Sequence, residues 1–184
     1  VRLEPLELTR HWPGLVAIGL DPDLWRWTSS KVGSEADLRR YLERAVAEQA
    51  SGVSLPFVTV LAESGEVVGC TRFGNIVREH KRAEIGWTWV ARTHQRTIVN
   101  TEAKYLMLRH AFEHWQFNRV ELLTDLLNTR SRQAIARIGA REEGILRHHM
   151  VMRDGRIRDS VLFSVTAAEW PEVKGKLEAL KNQT

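Results

Sequence analysis

The stretch from Ala83 to about Trp115 constrains this chain more than any other. Ala83-Glu84-Ile85-Gly86-Trp87-Thr88-Trp89-Val90 is apolar and Trp-bearing and reads as a strand. After the turn Gln95-Arg96-Thr97-Ile98-Val99-Asn100-Thr101-Glu102-Ala103 the period changes: Tyr105, Leu108, Ala111, Phe112 and Trp115 form one helical stripe. A strand that passes straight into a helix points unpaired main-chain N–H groups, and the positive end of the helix dipole, at one spot. That spot suits a phosphate-bearing ligand.

The flanking elements set the fold class. Val1 to Leu6 reads as a short strand, and Thr9 to Ile18 as a helix. Asp21-Pro22 turns the chain into Leu24-Trp25-Arg26-Trp27, and Ser34 caps a helix to about Ala50. Pro56 to Leu61 and Val67 to Phe73 read as strands joined by a turn at Glu63-Ser64-Gly65-Glu66, with Arg82 to Val90 as the next strand. Beyond the central helix, Arg119 to Thr124 is a strand. Asn128 caps a helix through Ile138 that Gly139 ends. Arg141 to Val151 and Ser160 to Thr166 are strands around Asp154-Gly155, and Glu169 to Leu180 is a closing helix. The order β-α-α-β-β-β-α-β-α-β-β-α predicts a mixed α/β (α+β) domain, an antiparallel group preceding one βαβ unit.

Composition excludes several classes. With 184 residues, 43% apolar and 27% charged, the chain predicts one domain over residues 1–184, neither disordered nor membrane-spanning. Its single cysteine, Cys70, makes no internal disulfide and fits a reducing compartment; with no export signal visible, a cytoplasmic location is expected. Asn182-Gln183-Thr184 matches a glycosylation sequon, read here as chance. The net charge is +4, and Arg92, Arg96, Arg130, Arg132, Arg137, Arg141 and Arg147 crowd around helix starts. This pattern suggests an anion site; nucleic acid is the weaker reading, because acidic residues are interspersed and no compact basic run exists.

The element order, with these residues at the turn, resembles the GNAT superfamily of acyl-CoA-dependent N-acetyltransferases, and most nearly its RimJ/RimL branch, which includes ribosomal-protein N-terminal alanine acetyltransferases. Ala83 to Val90 looks like that family's fourth strand, and Gln95 to Ala103 like its pyrophosphate loop. Asn128-Thr129-Arg130-Ser131-Arg132, with Ala134, Ile138-Gly139-Ala140 and Glu143-Gly144, looks like its second cofactor-contacting segment. The later Arg147, Gly155, Arg158-Asp159 and Phe163-Ser164 are also similar to this branch. The resemblance implies a twisted sheet of about seven strands, splayed between strands 4 and 5, with helices on both faces. It implies acetyl-CoA in the splay, pantetheine against the backbone of Thr88, Trp89 and Val90. The pyrophosphate would lie on the amides around Gln95, Arg96, Thr97, Ile98, Val99, Asn100 and Thr101, with Asn128 and Ser131 flanking the pantetheine arm.

Two departures stand out. Ile98 occupies the position where the family prefers glycine, and Asn100 replaces a second small residue, so a loop needing positive φ at Ile98 would be strained. Arg96 adds a compensating cation, and Asn100 is available as helix cap. The family's frequent acid, a tyrosine, is here Ile135, leaving Ser131 as the nearest proton donor, or merely as a residue that steadies the helix start.

Amine acetylation needs a neutral amine, so a base must take its proton. By resemblance Glu84 is preferred; alternation would set it beside Gly86 and Thr88, opposite Ile85, Trp87 and Trp89. Asp125, His148 and His149 are its rivals. His110-Ala111-Phe112-Glu113-His114 spells a zinc-protease signature but lacks a third ligand, and no metal is expected. Trp25 and Trp27 fall where the family shapes its acceptor site, and Cys70 reads as core packing remote from the motifs. The expected function is acetyl-CoA-dependent transfer to a primary amine, foremost a protein N-terminus, in a ternary complex. Alternatives are a polyamine or antibiotic acceptor and a non-catalytic acyl-CoA-binding module. The resemblance also allows a homodimer.

Overall fold

A computed structural model describes residues 1–182, so Gln183 and Thr184 of the sequon lie outside the described residues. Strand β1 (Arg2–Pro5) leads into α1 (Leu8–Gly19) and α2 (Glu35–Ala50), then β2 (Leu55–Val60), β3 (Val67–Val77) and β4 (Arg82–Val90). Helix α3 (Val99–Arg109), β5 (Arg119–Asp125), α4 (Thr129–Arg137), β6 (Arg141–Val151), β7 (Ile157–Thr166) and α5 (Trp170–Lys181) complete the order. The seven strands form one mixed sheet, β1-β2-β3-β4-β5-β7-β6, as the sequence predicts.

Local chemistry sets the element ends. Ser34 Oγ accepts from Asp37 N at 3.2 Å to start α2, and Asn128 Oδ1 accepts from Ser131 N at 3.1 Å to start α4. Gly139, at φ +98, ends α4 in the left-handed region. Two strands exceed their predicted length: β3 continues four residues beyond Phe73, and β7 begins at Ile157 rather than Ser160. Past Arg109 the central helix loosens into a π-helical turn, His110–His114, before Trp115.

Helices cover both faces. Leu15, Leu38 and Leu42 from α1 and α2 pack with Val58, Cys70 and Trp89 on one side. Met107 and Leu108 of α3 and Leu177 of α5 pack with Ile85, Val120 and Val161 on the other. Leu108 is fully buried, so Leu108→Ala would cost about 2–5 kcal/mol.

The feature that positions the site is a parting of the sheet. Parallel strands β4 and β5 pair only through Arg82–Arg119, Ala83–Val120 and Glu84–Glu121. Beyond Glu84 the strands diverge, and the rest of β4 turns its edge toward a gap.

Candidate active site

A cavity of about 1380 Å³ fills the gap between β4 and β5. β4 and α3 form one wall and α4 the other, while β7 and the segment around Trp27 close the far end. Thr88, Trp89 and Val90 line it, as do Asn128 and Ser131 across the gap.

At the near end the turn into α3 carries the cationic wall. Gln95, Arg96, Thr97 and Asn100 line the cavity, whereas the side chains of Val99 and Thr101 are buried behind it. Ile98, Val99 and Thr101 are not among the residues that line it. The positive φ expected at Ile98 falls instead on Arg96, at +64°; Ile98 is ordinary right-handed helix at φ −71°, ψ −16°, and is itself the residue preceding α3. A β-branched residue fits there without strain, so the loop keeps a backbone conformation that isoleucine accepts. Asn100 lies inside the first turn and is not the cap. Its Oδ1 is buried with no hydrogen-bond partner among the described residues.

Gln95 spans the mouth: its Nε2 donates to Val90 O at 2.8 Å and its Oε1 accepts from Arg130 Nη2 at 2.7 Å. The arginines sort themselves by pairing. Arg92 is tied to Asp21 and Asp23, Arg132 to Glu142, and Arg141 to Glu169. Arg96, Arg130 and Arg137 all line the cavity and have no carboxylate partner among the described residues. Three unpaired guanidinium groups beside helix-start amides make a donor set suited to the phosphates of coenzyme A.

Further in, β4 carries a bulge just after Gly86 that strict alternation does not foresee. Register runs Arg72–Gly86 and then Cys70–Trp89, leaving Trp87 and Thr88 together opposite Thr71, with Trp87 at φ +49°. The bulge resets the alternation. The Trp87 ring lies where a Cβ on Gly74 would meet it at 2.2 Å, and Arg72 stacks over that ring at 5.1 Å. Trp87 and Trp89 thus share a face with Glu84. Thr88 turns to the opposite face, where its Oγ1 lies 2.8 Å from Thr71 Oγ1 and accepts from Lys104 Nζ at 2.7 Å. The predicted grouping of Glu84 with Thr88 is wrong for this reason.

Glu84 sits where the strands part. Asn75 Nδ2 donates to its Oε2 at 2.7 Å. Burial pushes its carboxyl above the ordinary range; Glu121 beside it adds to the rise, and the Asn75 bond and Arg158 oppose it. Among its rivals, Asp125 is removed from the cavity: its side chain is fully buried, paired to Arg156 at 2.5 Å and bonded to Leu127 N at 2.9 Å. His148, at φ +51°, is exposed on β6, while His149 reaches the cavity with Nδ1 3.0 Å from Ser160 Oγ. Ser131 lines the opposite wall, and the α4 cap uses its N–H rather than its hydroxyl.

Trp25 is wholly buried, its Nε1 donating to Gly19 O at 2.8 Å, so Trp27 rather than Trp25 is available to shape an acceptor pocket. Cys70 lies directly across from Trp89 and is not remote from the site, but it faces the core and burial pushes its thiol up to about 12. His110 and His114 stack at 5.2 Å, and Glu113 is engaged by Trp170 and Lys174; no metal-holding cluster is present among the described residues.

Sequence reasoning missed three cavity residues. Lys104 precedes Leu108 by four residues and so belongs to the inward stripe of α3, a signal that was available; burial holds its ammonium down to about 7. Asn75 and Arg158 come from the unpredicted extensions of β3 and β7; no local pattern marks Asn75, and the sequence marks Arg158 only as similar to the branch, with no role in the site.

A mixed sheet parted beside a cationic helix start defines an α/β fold built around an anionic, extended ligand. The chain belongs to the acetyltransferase (GNAT) domain family, which matches residues 1–141. It is 31% identical over 110 residues to a Bacillus subtilis (strain 168) protein named "Putative ribosomal N-acetyltransferase YdaF", a match spanning 60% of this chain and 59% of that one. The chain thus spans about three fifths of that relative's length. A GCN5-related N-acetyltransferase from Brucella melitensis superposes with a TM-score of 0.88 at 31% identity, covering 97% of this chain and 80% of that one. Mycobacterium smegmatis RimJ, solved in complex with CoA-disulfide, gives 0.81 at 29% identity, over 97% and 88%. Among the described residues no helix is long and apolar enough to cross a membrane.

Proposed function

We propose that residues 1–184 form one acyl-CoA N-acyltransferase domain that acetylates a primary amine, foremost a protein N-terminus, by direct attack in a ternary complex in the cytoplasm. Family membership and the ribosomal names among its relatives support this reading. The observation that carries it is Glu84, a carboxylate held in the parting of β4 and β5 with its affinity for protons raised by burial.

Arg96, Arg130, Arg137 and the α3 amides would hold the phosphates of acetyl-CoA, and the free edge of β4 at Thr88, Trp89 and Val90 its pantetheine. When bound, acetyl-CoA supplies the acetyl group: a C–N bond to the acceptor forms, the C–S bond breaks, and the thiol leaves with a proton. Glu84 accepts the proton that the attacking amine loses. A β4 main-chain N–H, that of Trp89 or Val90, would stabilise the negative charge that develops on the thioester oxygen. Ser131, on the wall across from β4, would return a proton to the thiolate.

Ile135 in place of a tyrosine favours a second reading, a binding module without turnover. Thiol release with a panel of N-terminal peptides, run beside calorimetric CoA titration, separates the two. Turnover on a peptide amine supports the enzyme; micromolar CoA binding with no thiol release on any amine supports the module.

A further inference from the structure

The far end of the cavity holds a cation that the reading above leaves unused. Arg158, on β7, is only 7% exposed, yet it lines the cavity. Its Nε donates to Ser160 Oγ at 2.8 Å and its Nη1 to the Trp27 carbonyl at 3.3 Å. Its Nη2 has no partner among the described residues, and no carboxylate there lies within 4.0 Å of the guanidinium. The two acids near enough to influence it are otherwise engaged: Asp125 with Arg156 at 2.5 Å, and Glu84 with Asn75 at 2.7 Å. A buried guanidinium without a counter-ion is costly, and burial outweighs the pull of both acids on its charge.

A second donor stands beside it. Ser160 Oγ accepts from Arg158 Nε and lies 3.0 Å from His149 Nδ1. Its own hydroxyl proton can therefore go to Nδ1, which leaves Nε2 carrying the proton of the neutral imidazole. Arg158 and His149 then both present N–H groups to the end of the cavity where Glu84 waits for an amine. Arg158 and Glu84 line the same cavity and are near enough to influence each other's charge.

We propose that the acceptor carries a carboxylate close to its reactive amine, bound by Arg158 with His149 while the amine meets Glu84. This rests on the N-acetyltransferase reading and narrows its substrate class. The carboxylate has two sources, an acidic side chain at a peptide N-terminus or the α-carboxylate of a free amino acid. The transfer itself is unchanged: the C–N bond forms, the C–S bond breaks, Glu84 takes the amine proton, and the thiol departs protonated.

The test compares carboxylates with their neutral isosteres. Acetylation rates are measured for C-terminally amidated peptides starting Asp or Glu against those starting Asn or Gln, and for free amino acids against their amides. Carboxylates should exceed isosteres in kcat/KM by about tenfold or more. A preference among amidated peptides assigns the side chain; one confined to free amino acids assigns the α-carboxylate. Arg158→Gln should erase the preference and Arg158→Lys should keep part of it, with CoA affinity unchanged in both. Equal rates for acids and isosteres overturn the proposal, as does an Arg158→Gln variant that slows both equally. Calorimetric binding of the N-acetylated acidic products and their isosteres reads the same discrimination without turnover. Selective binding of the acids with no thiol release would therefore uphold the anion site while sinking the acetyltransferase reading, and absence of selective binding would sink the anion site alone.

Discussion

The two ends of the cavity are built by different means. The end proposed for the coenzyme, from Gln95 to Thr101, is one continuous turn into α3, with Arg96, Arg130 and Arg137 lining the cavity beside it. The acceptor end gathers single side chains from distant places: Trp27 before α2, Asn75 at the end of β3, Glu84 on β4, and His149 and Arg158 on β6 and β7. A backbone-built end tolerates exchange of side chains, because the donors belong to no particular residue. A side-chain-built end fails on a single substitution. The family relationship fits this division, since a shared coenzyme needs a constant cradle while the acceptor pocket is free to vary.

The largest effect should come from the acceptor end. Glu84→Gln should lower kcat/KM by about 10²–10⁴-fold at neutral pH while CoA affinity holds. Because burial raises this carboxyl, the acid limb of the wild-type pH profile should lie above the ordinary carboxylate range, and the variant should lose it. The deficit should shrink in alkali, where the amine deprotonates unaided. A wild-type-to-variant ratio that stays flat with pH would remove Glu84 as the base.

Between the two ends, Lys104 forms the floor beneath Thr88. Its ammonium is held down to about 7, so above that pH the unfolded chain carries a proton that the folded chain lacks. Stability should therefore rise with pH from about 7 toward the ordinary lysine range. Across pH 7–8.5 Cys70 stays a thiol in the folded chain, and its partial ionisation in the unfolded chain offsets only a small part of the gain. Urea unfolding should show a gain of roughly 1–2 kcal/mol across that interval, absent in Lys104→Met. An identical slope in the two proteins would mean that Lys104 stays charged, and that the cavity floor is wetter than its burial implies.

The same contrast explains what was legible in the sequence. The element order and the strand-to-helix turn at Gln95 to Thr101 depend on local period and turn chemistry, which a sequence displays, whereas the parting of strands 4 and 5 is implied only by the family resemblance. The bulge at Trp87 inserts one residue directly after Gly86, a local mark that strict alternation ignores, so Thr88 was put on the wrong face. Arg158 and Asn75 acquire meaning only from strands that pair across the fold, and Asp125 loses its candidacy because Arg156, thirty-one residues later, occupies it. Local reading recovers what one segment builds and misses what five segments share.

The coenzyme end yields the smaller effects. Arg130→Gln removes an exposed cation and its bond to Gln95, and CoA affinity should fall by no more than about fivefold, with a shallower salt dependence. Ile98→Gly should change least. Isoleucine already sits in right-handed helical backbone, so glycine relieves no strain and only loosens the start of α3, costing about 0.5–1 kcal/mol of stability. Affinity should stay within about twofold of wild type by calorimetry. A tenfold tightening would mean that the Ile98 side chain obstructs the phosphates after all. The turn would then adopt a second backbone conformation on binding, with positive φ passing from Arg96 to position 98, and the coenzyme end would prove as dependent on individual side chains as the acceptor end.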